Sequence, residues 1–90
     1  MMRVEITPGA VFADLPDGGV VVHTVTKRYY SLNETGARIW ALLEQSGDPS
    51  IAAVALASQY DISCEEATRA VRVLTDGLVA AGLVTKTEVG

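Results

Sequence analysis

The 90-residue sequence predicts a single α+β domain, in which a three-stranded antiparallel meander is followed by three helices. Three observations lead to this prediction. Apolar residues recur with a period of two as far as Leu32, and with a helical period from Asn33 onward. Helix-start signals occur at Asn33, at Asp48-Pro49 and at Ser63. A chain this short has room for one core, so residues 1–90 form one domain.

The strands are indicated by alternation and by turn residues between them. Val11, Ala13 and Leu15 alternate with Phe12 and Asp14. Asp17-Gly18-Gly19 and Thr26-Lys27 supply the two turns of the meander. The predicted strands are residues 11–15, 20–25 and 28–32, and residues 4–6 are a candidate for a further short edge strand.

The helices are bounded by capping residues. Asn33 caps a first helix that ends near Gln45, and Asp48 with Pro49 starts a second helix that runs to about Tyr60. Ser63 opens a capping box with Glu66, and Gly82 has the position of the C′ residue of the third helix, after which residues 83–85 return as a short strand. The second and third helices meet across a short turn, which predicts a winged helix-turn-helix arrangement.

Composition and charge exclude several classes of function. The formal net charge is −4 and the pI is about 4.7, which argues against nucleic acid or an anionic membrane as partner. The chain has one histidine, His23, and one cysteine, Cys64, so we expect no metal site, no cofactor and no catalytic Cys/His pair. No secretory signal or membrane-spanning run is present, and a cytoplasmic location is expected.

The third helix has an apolar flank in addition to its core face. The core face is predicted to hold Ala67, Ala70, Val71, Leu74, Leu78 and Ala81. One flank carries Thr68, Arg72, Thr75 and Val79 and reads as mostly solvated; the other carries Glu66, Val73, Gly77 and Ala80, with Arg69 at its border. A glycine inside a helix costs about 1 kcal/mol relative to alanine. Close approach of a guest backbone would explain Gly77, and tight packing of the domain's own strand is the alternative.

The third predicted strand has an edge that nothing in the meander covers. Arg28, Tyr30 and Leu32 share one face, and Tyr29 and Ser31 share the other. Such an edge beside a small apolar helix flank is a place where an extended peptide can add as a fourth strand. The charged residues nearby would pair with such a peptide or would simply be solvated; they are Lys27, Arg28, Arg69 and Arg72, with Glu66 and Asp76 of opposite sign.

The segment Tyr30-Ser31-Leu32-Asn33-Glu34-Thr35-Gly36-Ala37-Arg38-Ile39-Trp40 resembles the strand-to-helix signature of the pyrroloquinoline quinone synthesis protein D family. Tyr60-Asp61-Ile62-Ser63, Glu65-Glu66-Ala67 and Gly82-Leu83-Val84 continue the match, so that the resemblance covers about residues 11–85. It is closest in form to the small stand-alone proteins of lasso-peptide pathways.

This resemblance implies a non-catalytic module that binds the leader segment of a ribosomally made precursor peptide. The leader would add as a strand in the cleft between the third strand and the third helix, and the module would present it to a separate leader peptidase. Leaders of these pathways offer Tyr and Pro anchors, for which Val22, Tyr30, Val73 and Leu74 would build a pocket and Gly77 would give room. The peptide-binding residues expected are Val22, Lys27, Arg28, Tyr29, Tyr30, Ser31, Leu32, Glu66, Arg69, Ala70, Val73, Leu74, Asp76 and Gly77.

Other interpretations remain beside this one. In one alternative, the domain serves another modified-peptide pathway or the quinone-cofactor pathway, and its enzyme partner is a radical iron–sulfur protein. A DNA-binding winged helix is disfavoured, because Glu65 and Glu66 would stand where the recognition helix must approach phosphates. The second helix is apolar nearly all round at residues 51–57, which we interpret as core with some exposed alanine; it is also the candidate surface for docking the enzyme.

Overall fold

The structure, a computed structural model, describes residues 2–88 and confirms the predicted α+β fold. A three-stranded antiparallel sheet precedes three helices, and a second, two-stranded sheet joins the two ends of the described chain. The elements are β1 (Met2–Ile6), β2 (Ala10–Leu15), β3 (Gly18–His23), β4 (Tyr29–Asn33), α1 (Glu34–Ser46), α2 (Pro49–Tyr60), α3 (Cys64–Ala80) and β5 (Val84–Glu88).

The predicted meander is the sheet β2-β3-β4, in which both neighbours pair antiparallel. Its inner face turns toward the helices, where Val21 and Leu32 are buried and the ring of Phe12 stacks on Trp40 with centroids 6.3 Å apart. Its outer face leaves Val11 and Tyr29 exposed. The helices therefore cover one side of this sheet only.

The strand expected near residues 4–6 exists, but it does not extend the meander. β1 pairs antiparallel with β5, from Met2 opposite Glu88 to Ile6 opposite Val84. The backbone N–H of Val4 donates to the carbonyl of Gly47 at 2.8 Å, which ties β1 to the end of α1. This small sheet lies beside the helices and leaves the edge of β4 uncovered.

The predicted helix caps are confirmed. The side chain of Asn33 accepts from the N–H of Gly36 at 2.7 Å, and the Ser63 hydroxyl accepts from the N–H of Glu66 at 3.1 Å. Gly82 has φ +75°, and the N–H of Leu83 donates to the carbonyl of Leu78 at 2.9 Å, which is a Schellman ending for α3.

The core face of α3 differs from the prediction at one polar residue. Ala67, Val71, Leu74 and Leu78 are buried as predicted, whereas Ala70 and Ala81 are half-buried. Thr75 was expected on a solvated flank and is only 2% exposed. Its hydroxyl donates to the carbonyl of Val71 at 2.6 Å, so the side chain satisfies its own polar group and is buried at little cost.

No helix of the described residues 2–88 has the length and apolar character that crossing a bilayer requires. In the same part of the chain, no three His, Cys, Asp or Glu side chains come together in a way that would hold a metal ion.

Candidate functional site

The backbone of β4 has a free edge on the side away from β3, since within residues 2–88 no other strand pairs with it. The N–H of His23 donates to the carbonyl of Arg28 at 2.8 Å, which identifies these two residues as a hydrogen-bonded pair. Such pairs alternate along an antiparallel ladder, so Tyr30 and Leu32 bond to β3. The N–H and C=O groups of Tyr29 and Ser31 therefore point toward the free edge.

One end of the space between β4 and α3 is closed by the domain itself. A Cβ added at Gly77 would lie 2.5 Å from the hydroxyl oxygen of Tyr30 and 2.8 Å from its ring, so the Tyr30 side chain packs directly on the helix backbone. Just before β4, the Arg28 guanidinium donates to the carbonyl of Ala80 at 3.2 Å. Gly77 thus accommodates the Tyr30 ring of the domain's own strand, which is the alternative to a guest backbone that the sequence left open.

Beyond Tyr30 the space opens into a groove of about 450 Å³, which we call the β4–α3 groove. Its apolar part comes from Tyr30, Ile39, Ala70, Val73 and Leu74, and its polar rim from Asn33, Thr35, Gly36, Glu66 and Arg69. Val73 is 63% exposed, which is unusual for valine on a helix that faces its own sheet. The groove is thus an open apolar surface bordered by one acid and one base.

Several predicted site residues line this groove: Tyr30, Glu66, Arg69, Ala70, Val73 and Leu74. Tyr29, Ser31 and Leu32 belong to β4 itself, where the first two present the free edge and Leu32 is buried. Of the two adjacent tyrosines, Tyr29 is 67% exposed and Tyr30 is half-buried.

Three predicted site residues lie elsewhere. Val22 pairs with Tyr29 across the ladder and Val21 pairs with Tyr30, so Val22 faces the outer side of the sheet and does not share a pocket with Tyr30. Asp76 does not line the groove, and its carboxylate pairs with Lys86 of β5 at 2.6 Å. Lys27 is exposed in the β3–β4 turn with φ +63°, also outside the groove lining.

The rim charges are exposed and weakly engaged. Arg69 lies 3.8 Å from Glu65 one turn earlier on α3, with both side chains largely in solvent. Exposed pairs of this kind contribute about 0.2–1 kcal/mol, so breaking this pair to form one with a ligand costs little.

The first turn of α1 also contributes to the groove, although none of its residues was predicted as a site residue. Asn33, Thr35, Gly36 and Ile39 form one wall of the groove. The signal was available, because β4 leads directly into the Asn33 cap and the first turn must therefore continue the wall that β4 begins.

Comparison with known proteins gives concordant results. Residues 18–84 match the family described as coenzyme PQQ synthesis protein D, PqqD. A solved structure of TbiB1 in complex with the TbiA(beta) leader peptide has a TM-score of 0.80 at 29% identity, covering 89% of this chain and 93% of that one. A structure of lasso peptide synthetase B1 complexed with the leader peptide has a TM-score of 0.81 at 25% identity, covering 92% of this chain and 98% of that one. A search of curated proteins gives no significant match.

Proposed function

Because the chain belongs to the PqqD family, we propose that it is a peptide-recognition element that binds the leader segment of a ribosomally made precursor peptide. Two solved structures that share its fold over most of both chains are leader-peptide complexes. Their likeness supports a leader as the ligand of this domain as well.

The observation that carries the proposal is the unpaired edge of β4 beside an apolar groove. A guest strand would bond to the N–H and C=O groups of Tyr29 and Ser31. These main-chain bonds contribute affinity that does not depend on the sequence of the bound peptide. Side chains of a strand alternate between its faces, so every second guest side chain would enter the β4–α3 groove over Val73 and Leu74. The groove therefore supplies the specificity.

The role of the domain in this proposal is delivery rather than chemistry. It presents the bound precursor to a separate maturation enzyme, namely the leader peptidase of a lasso-peptide pathway. The match to a structure of lasso peptide synthetase B1 supports this pathway over one that uses a radical iron–sulfur partner. An acidic chain with Glu65 and Glu66 at the start of α3 does not favour binding to duplex DNA.

Leader binding is tested by titrating a fluorescent leader peptide of the pathway's precursor against the domain. Val73→Glu places a charge in the groove, whereas Val54→Glu makes the same change on α2, outside it; both valines are 63% exposed, so neither change removes core packing. We expect the first variant to weaken binding by about tenfold or more, and the second to leave it unchanged.

Equal leader affinity for the folded Val73→Glu variant and the wild type would remove the β4–α3 groove from the proposal. A mobility shift with duplex DNA at low salt is the second control, and tight sequence-dependent binding there would replace a peptide by DNA as the ligand.

A further inference from the structure

A second groove runs along the side of α3 that faces away from β4, and we call it the α2–α3 groove. It has a volume of about 380 Å³ and lies between α2, α3 and the β1–β5 sheet. Its lining is mostly apolar or small: Met2, Pro49, Ser50, Ala53, Val54, Cys64, Thr68, Val71 and Thr75, with Arg72 and Lys86 at the border. No residue lines both this groove and the β4–α3 groove.

Not all apolar residues of α2 are buried in the core. Ala52, Ala53, Leu56 and Ala57 are buried, yet Ile51 and Val54 are 56% and 63% exposed one turn apart. Isolated exposed apolar residues are common, but Val54 lines the apolar groove and Ile51 lies one turn before it on α2. The face has the form of a docking surface for a helix or strand with apolar anchors.

The charges at this groove favour an acidic partner. Arg72 and Lys86 border it and no carboxylate lines it, although the chain as a whole carries a net charge of −4. Lys86 is paired with Asp76, whereas Arg72 makes no hydrogen bond or ion pair with any part of the described chain. An incoming carboxylate would therefore meet a guanidinium that has no ion-pair partner within the described residues, although Glu65 lies in the adjoining depression.

We propose that the α2–α3 groove docks an acidic segment of the maturation enzyme, with an apolar side chain over Val54 and a carboxylate on Arg72. This inference rests on the proposed function for the identity of the partner. α3 would then hold the leader on one side and the enzyme on the other. Since the two grooves have no lining residue in common, occupation of one leaves the other open, and the precursor could be delivered without being released.

The test measures binding of the purified maturation enzyme of the pathway to the domain, with and without leader. We expect Val54→Glu and Arg72→Glu each to weaken enzyme binding by about tenfold or more, with leader affinity unchanged. Matched controls are Val25→Glu, at an exposed valine of the β3–β4 turn, and Arg38→Glu, on α1; both should bind the enzyme as the wild type does. Arg72→Lys should restore most of the binding lost in Arg72→Glu.

A chemical measurement avoids substitution altogether. Cys64 is the chain's one cysteine, is exposed and lines the α2–α3 groove, so a bulky maleimide on it should block the enzyme and spare the leader. Enzyme binding that survives both substitutions and the maleimide would overturn the docking site. If the wild-type domain binds the enzyme but no leader, and the substitutions still weaken enzyme binding, the docking site stands and the proposed function is refuted.

Discussion

Replacing Ser31 by proline tests strand addition at a single backbone atom. Ser31 lies opposite Val20 in a non-hydrogen-bonded pair, so its N–H points to the free edge and takes no part in the β3–β4 ladder. Proline removes that donor and places its ring where a guest strand must approach. On an edge strand with the N–H facing solvent, proline is tolerated, so the domain itself should fold.

The size of the effect follows from the bond that is lost. A guest carbonyl left without its donor in the closed complex costs about 1–3 kcal/mol, which weakens leader binding by about 5- to 150-fold. Ser31→Ala keeps the N–H and should bind the leader as the wild type does. The assay is titration of the fluorescent leader, with thermal unfolding followed by circular dichroism to show that each variant is folded.

A Ser31→Pro variant that melts within a few degrees of the wild type and binds the leader equally well would refute strand addition at β4. Binding would then depend on groove contacts alone, and the Val73→Glu variant would still report on those.

Three further predictions concern the residues that shape β4 and its surroundings. Gly77→Ala should push the Tyr30 ring away from α3 and destabilise the domain by about 1–3 kcal/mol, and a double-mutant cycle with Tyr30→Ala in urea unfolding should show coupling between the two sites. Gly18→Ala should lower the free energy of unfolding several times more than Gly82→Ala does. At Gly18, where φ is +143°, an added Cβ collides with the backbone of β4, whereas at Gly82 it meets nothing within 4 Å and costs about 1 kcal/mol for φ +75° alone. Thermal melts of the two variants check the ratio. His23 accepts from two backbone N–H groups of the β3–β4 turn through Nδ1, at 3.1 and 3.2 Å, so His23→Leu should lower the melting temperature and His23→Asn, whose Oδ1 can accept in the same place, should recover most of the loss.

The features that local chemistry determines were predictable from the sequence. Asn33, Asp48 and Ser63 cap helices because their side chains reach the next turn whatever the rest of the chain does. The three strands of the meander are joined by short turns, so their order follows from adjacency along the chain. These features were enough to locate the free edge beside α3.

The features that depend on distant contacts were not predictable in the same way. β1 was seen as a strand, but its partner β5 lies at the other end of the chain, and no turn signal links the two. The side to which Val22 points depends on the pairing register, and a shift of one residue reverses it. Gly77 indicated close approach of another group, yet residue type alone does not distinguish the domain's own Tyr30 from a guest.

The pairing edge that β4 presents is only five residues long, and Tyr29 and Ser31 turn their backbone groups outward along it. A stretch of about five amino acids spans roughly 17 Å, so the domain can inspect only a short tag within any longer polypeptide. The sequence outside that segment makes no contact with the β4 edge and can vary without affecting binding there. Recognition of this kind does not depend on the rest of the bound peptide. Grafting the short segment onto an unrelated peptide should therefore be enough for the domain to bind it.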